Sequence, residues 1–333
     1  MSDIGHRLDA SQAPPGAYAG SVPRMAIVVP CYNEEEALPE TVRQLDALLD
    51  RMIEAGRIDA GSGVYLVDDG SRDATWAQIE ALARARGERW HGIKLSRNRG
   101  HQNALLAGLH TAEGDVVVSI DADLQDDIEA IPLMLAKYSE GCEIVYGVRD
   151  DRSSDTAFKR ETALFYYRLL RWLGAEIVPN HADFRLLGRR ALEALRGYGE
   201  VNLFLRAIVP LLGFRTAIVT YRRTARTAGE SKYPLRRMIG LAVNGITSFS
   251  MQPLRLITFA GVGVSLLAFL TGFWAIGVGL FSTSAVPGWT STVVPLAFIG
   301  GLQILALGII GEYVGKIYME VKRRPQYEIE TRI

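Results

Sequence analysis

The feature that most constrains this chain is a long segment without charge near its C-terminus. Residues 256–311 contain no Asp, Glu, Lys or Arg. Pro287 and Gly288 mark a turn inside this segment, within residues 282–292. The two flanking runs, about 256–281 and 293–314, each exceed the roughly 20 residues that a membrane-spanning helix requires. Two such runs favour a transmembrane hairpin over a pair of buried core helices.

Basic residues flank both runs, whereas the loop that connects them has neither Lys nor Arg. They are Arg222, Arg223, Arg226, Lys232, Arg236, Arg237 and Arg255 before the first run, and Lys316, Lys322, Arg323 and Arg324 after the second. Positive charge stays on the cytoplasmic side of a membrane. The pattern therefore predicts a multi-pass protein of the inner or plasma membrane, with its polar part and both termini in the cytoplasm.

The overall composition excludes several classes of protein. The 333 residues include 37 basic and 37 acidic side chains, and this balance gives no support for nucleic-acid binding. The two cysteines, Cys31 and Cys142, lie far apart and argue against a disulfide framework. Residues 1–24 lack the apolar run of a signal peptide and are expected to form a flexible leader.

The segment that follows the leader alternates short apolar runs with amphipathic ones. Strands are predicted at 25–30, where Pro30 ends the first, and at 63–71, 92–96, 115–121 and 142–149, with helices at 38–56, 73–87, 98–114 and 126–141. Gly56 is expected to end the first helix, an acidic residue to cap the second, and Asp126 or Asp127 to cap the fourth. This order predicts an α/β fold with a parallel sheet covered on both faces, whose ligands bind at the carboxyl ends of the strands.

The turn after the first strand differs from the phosphate-binding turns of other α/β proteins. It reads CYNEEE, with neither G-x-G-x-x-G nor a P-loop, and its carboxylates would repel a phosphate. The turn therefore favours the uncharged part of a nucleotide: Tyr32 can stack on a base, and Asn33 and Glu34 can hydrogen-bond to its edge or to the ribose. Glu35 and Glu36 are explained as solvated residues of a first helical turn. Asp68 and Asp69 fit ordinary Asp-Gly turn chemistry.

A cluster of carboxylates follows the fourth strand. In an extended strand, residues two apart point to the same side, so Asp121 and Asp123 can aim at one point while Ala122 faces away. Gln125 can add a neutral oxygen. Oxygen ligands of this kind suit Mg²⁺ or Mn²⁺ together with substrate phosphates. Asp126 and Asp127 are better explained as helix caps.

Taken together, the ordered motifs resemble one enzyme family. The chain is similar to the polyisoprenyl-phosphate glycosyltransferases, membrane-tethered GT-A enzymes of glycosyltransferase family two, and within them to the bactoprenol glucosyltransferases. The resemblance extends from about Met25 to Tyr327, and its motifs are VVPCYNEEEALP, VDDGSRDAT, LSRNRGHQNALLAGL, SIDADLQDD, HADFRLLGR, GESKY and GEYVGKIYMEVKRRPQY. It implies a Rossmann-like, mixed but mainly parallel sheet at 25–198, interfacial helices at 199–253, a hairpin at 254–316 and a cytoplasmic tail at 317–333.

The resemblance also implies roles for individual residues. The nucleotide pocket corresponds to Pro30, Tyr32, Asn33, Glu34 and Asp69. The metal motif corresponds to Asp121, Asp123 and Gln125, with Mg²⁺ or Mn²⁺ as cofactor; the catalytic residues expected are Asp123 and Asp183, the latter as a base or an acceptor-orienting group. Phosphates of donor and lipid are expected at Arg149, Arg160, Arg226, Ser231 and Lys232. An ion pair between Asp183 and Arg185 or Arg189 is the alternative explanation of that carboxylate.

The reaction that the resemblance implies is inverting transfer of a sugar from a nucleotide donor to a polyprenyl phosphate such as undecaprenyl phosphate. Glucose from UDP-glucose is the first expectation, with N-acetylglucosamine, mannose and an aminoarabinose as alternatives. A non-catalytic membrane sensor or scaffold is the alternative from another class. A processive polysaccharide synthase is disfavoured, because Arg168 stands where its Q-x-x-R-W motif needs Gln. The run of small residues at 300–311 would allow homo-oligomers.

Overall fold

The computed structural model describes residues 22–149, 181–200, 204–221 and 289–333, together with scattered helical positions between 254 and 270. Eight strands form one sheet in the order β7-β5-β6-β4-β1-β2-β3-β8. They are β1 (Met25–Cys31), β2 (Gly63–Asp68), β3 (Trp90–Leu95), β4 (Val116–Ser119), β5 (Ile144–Arg149), β6 (His181–Gly188), β7 (Thr216–Tyr221) and β8 (Ile329–Arg332).

Seven described helices accompany this sheet. They are α1 (Leu38–Glu54), α2 (Thr75–Ala85), α3 (His101–Thr111), α4 (Ile131–Ser139), α5 (Arg189–Leu195), α6 (Leu205–Leu211) and α7 (Trp289–Lys322). A short 3₁₀ turn at Ile128–Ala130 leads into α4. All five strands and four helices predicted for the first half of the chain are present, which confirms the α/β assignment.

The centre of the sheet is buried on both faces, because β1 alternates its side chains between two apolar clusters. Ile27 and Val29 belong to a cluster that includes Leu45 of α1, while Val28 packs in a second cluster with Leu106 of α3. Every residue of β1 is buried. A continuous apolar run, rather than an alternating one, is typical of such a strand.

The sheet is mixed rather than purely parallel. Strands β4, β1, β2 and β3 are parallel neighbours, but β6 runs antiparallel between β4 and β5, and β8 runs antiparallel along β3. Neither β6 nor β7 nor β8 was predicted as a strand. The fourth strand was also predicted too long: β4 ends at Ser119, before the carboxylate cluster.

Most of the predicted helix caps are present, and one is not. Gly56 has a positive φ of 63° and donates its N–H to Ile53 O at 2.9 Å, so it ends α1 as expected. Asp127 caps the 3₁₀ turn by accepting the Glu129 N–H at 3.0 Å. Asp126 does not cap; the prediction for this residue was wrong, since its buried carboxylate is bonded to side chains instead. The acidic start of α2 is Asp73, whose side chain accepts the Thr75 N–H at 3.0 Å.

Helix α7 contains the second of the two uncharged runs. Its part Phe298–Lys322 is long and apolar enough to cross a membrane, and it is the one such helix among the residues that the structure describes. Several of its apolar side chains are exposed: Ile304 is 73% exposed and Leu307 67%. Most of the first run, 256–281, lies outside the described residues, so the two-helix hairpin is not confirmed.

Helix α6 lies in residues 201–214, the first of two apolar, arginine-containing segments (201–214 and 231–256) for which the sequence predicts an interfacial position. Its side chains Leu205, Ile208 and Val209 are fully buried in the cluster that also contains Leu106. In the described part of this segment, the apolar face therefore packs on the catalytic sheet. The second predicted interfacial segment, before Leu254, lies outside the described residues.

After α7 the chain returns to the sheet. Ser96 donates its N–H to Glu328 O at 3.0 Å, Ile329 pairs with Leu95, and Arg332 pairs with Ile93. Strand β8 therefore enters the sheet beside the carboxyl end of β3 and runs toward the opposite edge. Only residues 323–328 separate the end of α7 from the start of β8, which lies at the carboxyl edge of the sheet.

Candidate active site

The site is built where four neighbouring strands meet one edge of the sheet. Strands β1, β2 and β4 are parallel and end there at Cys31, Asp68 and Ser119. Strand β6 starts at the same edge, because it runs antiparallel with Arg185 opposite Ser119. This antiparallel pairing brings Asp183 to the end of β4, although more than sixty residues separate them in the sequence.

The predicted nucleotide turn packs against the loop that follows β2. Asn33 adopts a left-handed conformation with φ 55°, accepts the Arg72 N–H on its side-chain oxygen at 2.9 Å and donates its own N–H to Ser71 Oγ at 3.0 Å. The Glu34 N–H donates to Thr75 Oγ1 at 2.8 Å. Pro30 is buried at the end of β1, whereas Tyr32 is 43% exposed and presents its ring to solvent. This arrangement leaves Tyr32 accessible for stacking.

Two acidic residues of this region have structural partners that sequence analysis missed. Glu35, explained earlier as solvated, accepts the Ala74 N–H at 2.8 Å and so supports the start of α2. Asp69 is buried and accepts the N–H groups of Arg99 at 2.7 Å and Gly100 at 2.9 Å. Burial raises the pKa of Asp69, and these two hydrogen bonds oppose that rise. Asp69 thus fixes the loop that leads into α3.

The carboxylates after β4 lie in a turn, not in an extended strand. Leu124 has φ 43°, an uncommon left-handed conformation for a branched residue, and its N–H donates to Asp121 O at 3.3 Å. Strand alternation therefore does not explain how Asp121 and Asp123 are oriented. Asp123 is exposed, and Gln125 is buried behind it with its amide nitrogen 2.6 Å from Asp123 Oδ2.

The donor set of this turn fits a hard divalent cation. Asp121 Oδ1 is a buried atom that accepts no hydrogen bond within the described ranges, and His101 Nε2 lies 3.5 Å from it. Partial burial raises the pKa of Asp121, as do the neighbouring carboxylates, against the effect of His101. Where the chain is described, no three His, Cys, Asp or Glu side chains converge as a complete metal cage. Two carboxylates completed by substrate phosphates are typical of Mg²⁺ sites.

Asp183 lies in a buried cluster of cationic and polar side chains. Its carboxylate accepts hydrogen bonds from Arg185 Nη2, from Arg206 Nη2 at 3.2 Å and from Gln102 Nε2 at 2.9 Å. His101 Nε2 lies 3.4 Å from the same carboxylate. The ion pair with Arg185 considered in the sequence analysis is therefore present, but it is one contact of several.

These contacts determine the protonation state of Asp183. Burial alone would raise its pKa, but His101, Arg185 and Arg206 outweigh burial and hold the pKa far below its usual range. A carboxylate stabilised in this way is a weak base. Its chemistry is to orient cationic groups and to stabilise positive charge that develops nearby.

Arg149 is anchored at the same edge by the residue that was predicted to be a cap. Asp126 accepts Arg149 Nε at 3.1 Å and Nη2 at 3.0 Å, and it accepts the Tyr221 hydroxyl at 2.6 Å. Burial lowers the pKa of Arg149, but Asp126 and Tyr221 together raise it by more than burial lowers it. The guanidinium therefore stays charged. About a third of this side chain is exposed, which leaves it able to meet a phosphate. The other predicted phosphate ligands, Arg160, Arg226, Ser231 and Lys232, lie outside the described residues.

His101, Gln102 and Arg206 were not predicted as site residues. A usable signal existed for the first two, because they follow Gly100 directly after the third strand, at the same carboxyl edge as the acidic motifs. No such signal marked Arg206. It lies on the short helix α6, and only the tertiary structure brings this helix next to Asp183.

Comparison with known proteins agrees with this geometry. Residues 26–196 match the model of the family described as Glycosyl transferase family 2. The chain belongs to glycosyl transferase family 2. It is 52% identical over 312 residues to the glycosyltransferase YkoT of Bacillus subtilis (strain 168), covering 93% of this chain and 92% of that relative. It is 40% identical over 313 residues to the bactoprenol glucosyl transferase of Shigella phage SfX, covering 93% and 99%.

Among solved structures, mannosyl-3-phosphoglycerate synthase from Rubrobacter xylanophilus matches 72% of this chain and 75% of its own at a TM-score of 0.47 and 17% identity. The turn predicted to contact a nucleotide, the acidic turn and Asp183 all lie inside the matched range. Arg206 lies beyond the end of that range. The mixed α/β sheet is the GT-A fold expected of the family.

Proposed function

We propose that this glycosyltransferase moves a sugar from a nucleotide donor, first of all glucose from UDP-glucose, to the phosphate of a polyprenyl phosphate in the membrane. The observation that carries the proposal is the meeting of the acidic turn at Asp121 with the cationic cluster at Asp183 on one edge of the sheet. The relative named bactoprenol glucosyl transferase, which is 40% identical over 93% of this chain, supports a polyprenyl acceptor.

The residues divide the work along the edge. Tyr32, Asn33, Glu34 and Pro30 would contact the nucleoside, with Asp69 shaping the adjoining loop. Mg²⁺ or Mn²⁺ held by Asp121 and Asp123 would neutralise the donor's diphosphate and stabilise the leaving group. Gln125 would orient Asp123 through its amide nitrogen and offer its amide oxygen as the further metal ligand that was predicted.

The acceptor needs little help from a base. A phosphate monoester has a second pKa of about 6 and is mostly dianionic at neutral pH. The depressed pKa of Asp183 agrees with a role in orientation and charge stabilisation as the anomeric carbon becomes oxocarbenium-like. Arg149 would meet a phosphate, and Arg160, Arg226, Ser231 and Lys232 are proposed as further phosphate ligands. Attack from the face opposite the nucleotide would invert the anomeric centre.

The membrane arrangement is part of the same proposal. We place α7 across the membrane as the second helix of a hairpin, with residues 256–281 as the first and with the catalytic sheet and both termini in the cytoplasm. The exposed apolar surface of α7 supports this arrangement. The return of β8 to the carboxyl edge supports it further, since that connection holds the site near the end of α7.

The test uses the full-length protein in detergent with undecaprenyl phosphate. Radiolabelled UDP-glucose, UDP-N-acetylglucosamine, GDP-mannose and a UDP-aminoarabinose are supplied in turn, with Mg²⁺, Mn²⁺ or EDTA. We expect label from UDP-glucose to enter the lipid phase, to require a divalent cation and to be lost in Asp123→Ala. Donor binding without lipid labelling would instead support a sensor or scaffold. Labelling from a different donor would keep the reaction and change the sugar.

A further inference from the structure

Arg206 is the exposed member of the Asp183 cluster. Its Nε and Nη2 atoms lie 3.3 Å and 3.2 Å from the two oxygens of the carboxylate. Its side chain is 40% exposed, while the Arg185 side chain on the same carboxylate is 1% exposed. A guanidinium carries five N–H donors in a planar fork, so the contact with Asp183 leaves donors that face outward.

The cluster also fixes the backbone that carries Arg206. Gln102 accepts the N–H of Leu205 at 3.1 Å, and Arg185 Nη1 donates to Leu205 O at 3.2 Å. Both of these side chains contact Asp183 as well. The residue before Arg206 is thus held from two sides by the same network, which orients the guanidinium before any ligand arrives.

Arg206 shares its carboxylate partner with a second arginine. Arg185 and Arg206 both form their ion pair with one carboxylate, that of Asp183, within the described ranges. Two guanidinium groups on one carboxylate leave the charge of Arg206 only partly compensated, since the next carboxylate, Asp121, forms its ion pair with His101 and not with Arg206. An anion that binds beside Arg206 would compensate that charge, and arginine's fork matches the geometry of phosphate.

The order of the strands indicates which phosphate this is. Along the edge, the nucleotide turn lies at β1 and β2, the acidic turn follows β4, and Asp183 lies on β6 beyond it. A donor with its nucleoside at β1 and its diphosphate at Asp121 therefore points its sugar toward β6. We propose that Arg206 binds the phosphate of the lipid acceptor, on the far side of the sugar from the nucleotide. This inference rests on the proposed function.

The experiment measures initial rates of the full-length protein with undecaprenyl phosphate and the donor that it uses. Arg206→Met is compared with wild type, with Arg206→Lys and with Arg215→Met, at an exposed arginine whose side chain donates to Glu140 O at 3.0 Å. Loss of a charge-assisted contact predicts an acceptor KM about 10- to 100-fold higher for Arg206→Met. The donor KM should change less than about twofold, because in this proposal Arg206 does not contact the donor. Arg206→Lys should recover part of the loss, and Arg215→Met should behave as wild type.

The outcomes separate the two proposals. If wild type labels no lipid, the proposed function is wrong. If wild type is active and Arg206→Met lowers kcat with an unchanged acceptor KM, Arg206 acts only through Asp183 and the inference is overturned. A rise in donor KM instead of acceptor KM would overturn it equally, since Arg206 would then contact the donor.

Discussion

At residue 183 a carboxylate is surrounded by cationic side chains, and this changes what substitution there would mean. Asp183 is the ion-pair partner of the fully buried Arg185. Removing one partner of a buried pair leaves an uncompensated charge, which costs about 3–5 kcal/mol. Loss of activity in an Asp183 variant would therefore mix a catalytic effect with a structural one.

We expect Asp183→Asn to lower the free energy of unfolding by several kcal/mol at pH 7, as well as activity. The pKa of Asp183 is depressed in the folded state, so its stabilising effect is present above the ordinary carboxyl pKa and is lost as the pH falls below it. The difference between wild type and Asp183→Asn should thus shrink from pH 7 to pH 3, measured by urea unfolding. Asp123→Asn, at an exposed position, is the control; an equal loss of stability there would contradict this account.

At the scale of elements, the sequence predicts strands and helices correctly where the buried residues form a regular apolar pattern. The first five strands are apolar runs, and the segments between them carry apolar residues at helical spacing, so local pattern and structure agree. Strand β6 was not predicted, because it carries Asp183 and Arg185. Charged residues are typical of surface positions, but these two are buried as partners of each other. Strand β8 (IETR) alternates charge and is formed only by its pairing with β3.

The acidic turn shows a different limit. Its candidate metal ligands were predicted from composition and from position at a strand end, and their metal-binding role stays a prediction. The predicted orientation of Asp121 and Asp123 by strand alternation was wrong, because Leu124 adopts a left-handed conformation that local preference disfavours. Tertiary contacts such as Thr41 Oγ1 to Ala122 O, 2.6 Å long, fix this turn from outside. The sequence contains no local signal for that contact.

Helix α3 supplies a test of how closely the elements pack. A Cβ atom at Gly108 would lie 2.3 Å from Val28 Cγ1 and 2.9 Å from Val67 Cγ2, so α3 could not keep its distance from the sheet. We expect Gly108→Ala to destabilise the fold by about 1–3 kcal/mol, the usual cost of overpacking. Because α3 also positions His101 and Gln102, activity should fall with it. Gly199→Ala, where a Cβ meets nothing within 4 Å, should change the unfolding midpoint little.

For the whole molecule, the prediction concerns the environment of α7. Leu307 is 67% exposed within the chain. In water a lysine there would be harmless, but in the centre of a bilayer it costs about 2.5–3.5 kcal/mol. We expect Leu307→Lys to reduce the fraction that stays with membranes after an alkaline carbonate wash. Val321→Lys, in the last turn of α7, should remain as wild type because lysine can reach the interface there. Equal retention of both variants would argue that α7 does not span.

The short connection between α7 and β8 acts as a leash. Six residues, 323–328, extend to no more than about 20 Å. A domain of this size has a radius of gyration of roughly 15 Å, so the leash does not let it turn freely away from the end of the helix. With α7 in a bilayer, the carboxyl edge of the sheet stays in a thin layer above the surface. Encounters with a lipid substrate then become a search in two dimensions, and their frequency depends on how crowded the membrane is with acceptor rather than on the volume around it.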